Sequence, residues 1–186
     1  MTFDQFHEKS KFQIQKITKQ ISLSKYLFVF TLLGSCHRLV KWFMDQEGIS
    51  NNLISVNMPY STIAIDQELS VKSNSYVNTD ICRELAINNF NKYSKMINKL
   101  ENLISLAVSS SLQTNRKKLS SDRSFITLFG NEINSNYEIN FLDHKLNRKQ
   151  QDYIISYLVL NILSNPEIKV VKNLFPSLAD IKIIDK

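Results

Sequence analysis

The succession of apolar and polar positions divides the chain into alternating helical and extended segments. Residues 4–21 place Phe6, Ile14, Ile17 and Ile21 near helical spacing with lysines elsewhere, which predicts an amphipathic helix. "YLFVFTLL" (26–33) is instead continuously apolar, rich in aromatic and branched side chains, and bounded by Gly34. That is the pattern of a strand covered on both faces. Beyond Gly34 the period changes, and Leu39, Val40, Phe43 and Met44 form one stripe of a helix. "NLISVNM" (52–58) predicts a second strand, stopped by Pro59. A helix follows from about Thr79, capped by Asn78 or Thr79, with Ile81, Leu85, Ala86, Phe90, Tyr93 and Ile97 on its apolar side. "NLISLAV" (102–108) reads as a third central strand that ends in the polar run Ser109, Ser110, Ser111. "SFITLFG" (124–130) and "NYEINFL" (136–142) read as a hairpin. The last long helix covers 147–164, with Tyr153, Ile154, Tyr157, Leu158 and Leu160 inward, and Pro166 ends it. The tail, with Pro176 and "DIKIID", packs on the body or supplies an edge strand.

This order predicts a three-layer α/β/α sandwich with a mixed central sheet, in a single domain over residues 1–186. Gly34 then joins a buried strand to a helix, where α/β folds place ligand-binding loops.

Composition narrows the function. At 186 residues the chain is long enough for one core and too short for two ordinary domains. No apolar run approaches the ~20 residues of a membrane helix, and the first residues lack a secretory pattern. A cytoplasmic location is therefore expected, with no membrane partner. The net charge of +6 suits a phosphorylated small molecule or nucleic acid. The densest cationic cluster, "NRKKLSSDR" (115–123), is loop-like and lacks interleaved aromatics, which argues against nucleic acid. Cys36 and Cys82 lie far apart and His7, His37 and His144 are dispersed, so neither a disulfide, a metal site nor a cofactor is expected. Adjacent residues rarely face one another on a helix, so Cys36-His37 reads as a buried thiol beside an exposed imidazole. Three glycines cannot build a glycine-rich phosphate cradle.

What remains is polar groups at strand ends: Thr31, Gly34-Ser35, Gly48-Ile49-Ser50, Pro59-Tyr60-Ser61, Ser109 to Thr114, and Arg148. Singly, each has a structural role open to it: Ser35 and Ser50 as caps or turns, Pro59-Tyr60 as a turn, Arg148 as a solvated first-turn residue. Together, strand-end loops converge on one pocket.

Their order resembles the C-terminal domain family of CinA, the competence/damage-inducible protein, whose active members are nicotinamide mononucleotide deamidases. "TLLGS" stands where that family has S-C-T-G-G, and "GIS" (48–50) where it has G-[SA]-S. Tyr60-Ser61 follows Ser50 at the family's spacing. "AVSSSLQTNRKK" is similar to the "TASLATDRPKR" loop of a subgroup whose tyrosine motif is P-Y-S. "HKLNRKQQDYIISYLVLNIL" is similar to that subgroup's K-G-x-R segment and closing helix. The resemblance covers about residues 26–164, leaving the helix at 4–21 and the tail at 166–186 outside it. It implies a homo-oligomer, with Ser50 as nucleophile, Tyr60 as the active-site tyrosine and Thr31 at the position of the first-motif serine. It also implies Gly34, Ser35, Gly48, Ser61, Ser109, Ser110 and Ser111 around the substrate, and Arg148 with Arg116 or Lys117 on phosphate. The family's base, a lysine five residues after the tyrosine, corresponds to Ile65, and the P-Y-S subgroup tends to lack it too.

An isoleucine cannot take the proton that a serine must lose to attack an amide. The expectation is a domain that binds a pyridine nucleotide with weak or no amide hydrolysis. Activity would need a base from elsewhere: Lys72, His37 or a partner subunit. The alternative is a non-catalytic interaction or assembly protein that keeps only the scaffold.

Overall fold

The computed structural model describes residues 1–69, 72–115, 121–142, 146–168, 174–175 and 177–184. Helix α1 (Phe3–Ser22) starts at a capping box, in which the Thr2 hydroxyl accepts from the Gln5 amide and the Gln5 side chain accepts from the Thr2 amide. Its inner stripe is Phe6, Ser10, Ile14, Thr18 and Ile21. The two hydroxyls are not left orphaned there. Ser10 shares a hydrogen bond with Tyr153 at 2.8 Å, and Thr18 donates to the Ile14 carbonyl at 2.9 Å.

Strands β1 (Leu27–Leu33), β2 (Leu53–Asn57) and β3 (Leu103–Ser111) are parallel, with β1 between the other two. β4 (Arg123–Gly130), β5 (Asn134–Phe141) and β6 (Ala179–Ile183) continue the sheet antiparallel, giving the order β2-β1-β3-β4-β5-β6. β1 is buried on both faces because its alternate residues enter different cores. Phe28, Phe30 and Leu32 meet α1, α2 (His37–Met44) and α5 (Arg148–Ser164), while Leu33 meets α4 (Thr79–Ser94). The molecule is thus an α/β/α sandwich with a mixed sheet.

α5 is the centre of the first layer: every residue from Gln151 to Leu160 is buried. A helix covered all round needs neighbours on every side. Those neighbours are the sheet, α1, α2 and the segment around Phe175, whose ring meets Phe6 at 4.9 Å and Tyr157 at 6.1 Å. The expected helices and strands are present, and the tail supplies the edge strand β6. Four details differ. β3 continues through Ser109–Ser111, which pair with Phe125, Ser124 and Arg123 of β4 instead of forming a loop. A short helix α3 (Thr62–Glu68), capped by the Ser61 hydroxyl, follows Tyr60. Met44 projects into solvent from the last turn of α2, and Ile97 lies beyond the end of α4. Arg116, Lys117, His144 and Pro176 lie outside the described residues.

Candidate functional site

Parallel strands bring their C-terminal ends to one edge of the sheet, and that edge holds a cleft of about 290 Å³. Its walls come from three strand ends and two helices: Leu33 at the end of β1 with Gly34 after it, Pro59 and Tyr60 after β2, Ser109 and Ser110 of β3, Ile65 of α3 and Arg148 of α5. Tyr76 and Val77, just before α4, close one side. Of the polar strand-end residues singled out in the sequence, Gly34, Tyr60, Ser109, Ser110 and Arg148 therefore meet.

The β1–α2 turn is held by contacts that only this arrangement allows. Gly34 has φ +78°, and a Cβ there would lie 2.8 Å from the Ser110 carbonyl oxygen. Arg148 Nη2 donates to the Gly34 carbonyl at 2.9 Å, so this guanidinium is clamped to the turn instead of being solvated. Ser35 is buried, and its hydroxyl shares a 2.6 Å hydrogen bond with Ser110, which shares another of 2.6 Å with Ser124. A line of hydroxyls thus runs from the turn into the sheet. Cys36 takes the N-cap position of α2 at φ +70° without a side-chain cap. The missing cap is borrowed from α5: Asp152 accepts from the His37 amide at 3.3 Å and from His37 Nδ1 at 2.9 Å. Arg148 and Asp152 stand one helical turn apart, so α5 grips this turn at both ends.

Titration follows from burial. Asp152 is fully covered, and desolvation raises its carboxyl pKa although His37, two backbone amides and Arg38 pull the other way. Cys36 is also covered; burial, then the charge of Asp152, pushes its thiol well above the usual range, so it stays protonated and is no nucleophile. Tyr76 donates to Asp66 Oδ1 at 2.6 Å, and this bond raises its phenol.

Other expected site residues lie elsewhere. Thr31 is 1% exposed and two residues before Leu33, hence on the cleft's side of the sheet but sealed beneath it. Ser61 is spent as the cap of α3. Ser111 pairs with Arg123 in the β3–β4 ladder. Gly48 and Ser50 sit at the start of β2, not at its end. The five residues of β2, at about 3.3 Å each, put roughly 17 Å of strand between Ser50 and the Tyr60 end of the cleft. Ile65 does line the cleft, and it is 8% exposed. Among the described residues that line it, none is a lysine, a histidine or a carboxylate. His37 is paired with Asp152 outside the cleft, and Lys72 is not among its walls. Among the described residues no group of His, Cys, Asp and Glu side chains is placed to hold a metal ion. Nor is any helix among them long and apolar enough to cross a membrane.

Solved structures share this architecture. A competence or damage-inducible protein from Enterobacter asburiae superposes with a TM-score of 0.67 at 12% identity, covering 82% of this chain and 97% of its own. A CinA superfamily protein from Klebsiella pneumoniae 700603 gives 0.66 at 9%, covering 81% and 95%, and a competence/damage-inducible protein from Agrobacterium tumefaciens gives 0.65 at 9%, covering 81% and 93%. The fold is that of the CinA superfamily. No family model and no curated protein matches the sequence. On this CinA-like fold, sequence inspection had missed Tyr76, Val77, Ser124 and Asp152. Only Asp152 left a trace, four residues after Arg148 on the same helical face.

Proposed function

We propose that the chain is a divergent CinA-like domain, related to nicotinamide mononucleotide deamidases, that binds a pyridine nucleotide with weak or no amide hydrolysis. The observation that carries this reading is Ile65 in the wall of a cleft whose polar lining is Tyr60, Tyr76, two serines and Arg148. The flat phenol of Tyr60, 82% exposed at the rim, suits a pyridinium ring, and the Arg148 guanidinium suits a phosphate. Hydrolysis would need a base near the amide, and an apolar wall supplies none. Ser50, proposed as nucleophile from the resemblance, reaches the cleft only if a partner subunit brings it there.

Incubation with nicotinamide mononucleotide tests the reading. A rise in melting temperature with little or no ammonia released supports a binding domain. In the monomer, Ser50→Ala should leave that rise unchanged. Brisk turnover abolished by Ser50→Ala would overturn it.

One observation favours a second reading, a non-catalytic assembly protein. Residues 48–65 carry no charge, and Ile54, Met58, Tyr60 and Ile63 are exposed around the β2 edge. The other edge, β6, carries exposed Asp180 and Lys182, the usual protection against pairing. A homo-oligomer joined through β2 follows from this reading. Light scattering showing a monomer at all concentrations, together with a ligand-induced thermal shift, would exclude it.

A further inference from the structure

A second cavity, of about 430 Å³, lies between α1 and α2 above α5 and shares no wall residue with the cleft. Its inner corner is aromatic. Trp42 meets the Tyr153 ring edge-on at 5.3 Å, and His7 lies 4.7 Å from the same ring. Beside them the Arg38 guanidinium sits over Tyr153 at 5.5 Å. Among the described residues its one carboxylate neighbour is Asp152, with Nε 3.7 Å from Oδ2, and that Nε is buried without a hydrogen-bond partner among them. The acid on the groove's rim, Asp45, is matched by Lys41 at 2.5 Å, and Lys11 adds a second cation, shared with Glu8. The groove therefore combines an aromatic side chain with a guanidinium whose Nε has no hydrogen-bond partner among the described residues.

We infer that this groove is a second ligand site, for a planar aromatic molecule that carries an anion, of the class of nucleoside monophosphates. The ring stacks on the half-buried Trp42, which the buried Tyr153 backs, and the phosphate meets the Arg38 fork with Lys11 beside it. The volume falls in the range of small-molecule sites. The inference stands apart from the reading of the cleft, because the two sites use different residues.

Trp42 is the single tryptophan, so intrinsic fluorescence reports on this groove directly. Adenosine monophosphate is the probe, with calorimetry as an independent reading. A saturable change is expected, with adenosine alone and inorganic phosphate alone each at least about tenfold weaker, as loss of a charged hydrogen bond implies. Arg38→Gln should weaken the probe about tenfold as well, while Tyr60→Phe in the cleft leaves the titration unchanged. Absence of a saturable signal, adenosine binding as well as its monophosphate, or wild-type affinity in Arg38→Gln would each overturn the inference. So would a titration that responds to Tyr60→Phe. Should Arg38→Gln fail to fold, the exposed Lys11→Gln carries the same expectation of weaker binding, and unchanged affinity there is the refuting result.

Discussion

Gly34→Ala should destabilise the protein by about 2–3 kcal/mol, and the sum has three parts. An alanine at φ +78° takes a left-handed conformation that costs roughly 1–2 kcal/mol. Its Cβ would lie 2.8 Å from the Ser110 carbonyl oxygen, a backbone atom in a strand paired on both sides. Neither partner can swing away, so an overpacking cost of about 1–3 kcal/mol applies. Restriction of the unfolded chain gives back about 0.4–1 kcal/mol. Gly48→Ala is the internal control: φ is +79°, yet nothing lies within 4 Å of the added Cβ. It should lose only about 1 kcal/mol or less, since the steric part is absent. Urea denaturation of both variants separates the contributions, and heat should show a drop of roughly 4–12 °C for Gly34→Ala in a chain of this size. Equal losses in the two variants would refute the argument that close approach to Ser110, and not φ alone, fixes glycine at position 34.

Two further outcomes test the grip of α5 on the same turn. Arg148→Met removes the donor to the Gly34 carbonyl and should cost about 1.5–3 kcal/mol in denaturant titrations, while reducing any thermal shift given by nicotinamide mononucleotide. A variant as stable as wild type would show that the clamp contributes nothing. Asp152→Asn probes the buried carboxyl, whose folded pKa is raised by desolvation. A raised folded value means that the folded chain holds this proton more tightly than the unfolded one. The stabilisation is then complete below the ordinary carboxylate range and is lost as pH rises through the folded value. Wild type should therefore lose stability relative to Asp152→Asn as pH is raised from about 3 to about 7, measured by urea midpoints. A gain of wild type over the variant across that range would contradict the assignment.

Much of the architecture was legible because single elements carry it. β1 announces itself by an unbroken apolar run, α4 by Asn78 at its cap, and α5 by its inward apolar positions from Tyr153 to Leu160. The extension of β3 through Ser109–Ser111 was not legible, because serines read locally as a loop. Their ladder is supplied by Arg123, Ser124 and Phe125, whose pairing is set by the β4 hairpin and not by the serines themselves. The buried polar residues of α5 were hidden for the same reason. Gln151 accepts from the Gln113 amide at 2.7 Å and donates to Asp122 at 2.7 Å, while Asp152 serves a helix more than a hundred residues earlier. A helical stripe in sequence shows which side is apolar; it cannot show that every side will be covered.

The spacing of Ser50 and Tyr60 illustrates the point at the candidate site. Ten residues could place two side chains together across a hairpin, but the five extended residues of β2 alone carry these two roughly 17 Å apart. β2 therefore splits that pair, however suggestive its spacing. The same chain then turns at Pro59, and the Ser61 cap starts α3, so that Ile65 folds back over the end of β1 beside Leu33. Position 65 thus faces the cleft through local geometry alone, whatever side chain it carries. A side chain at this position is held at the cleft wall by α3. The isoleucine extends the apolar cluster of Leu33, Leu69 and Leu85 to the cleft surface, and an apolar wall takes no proton.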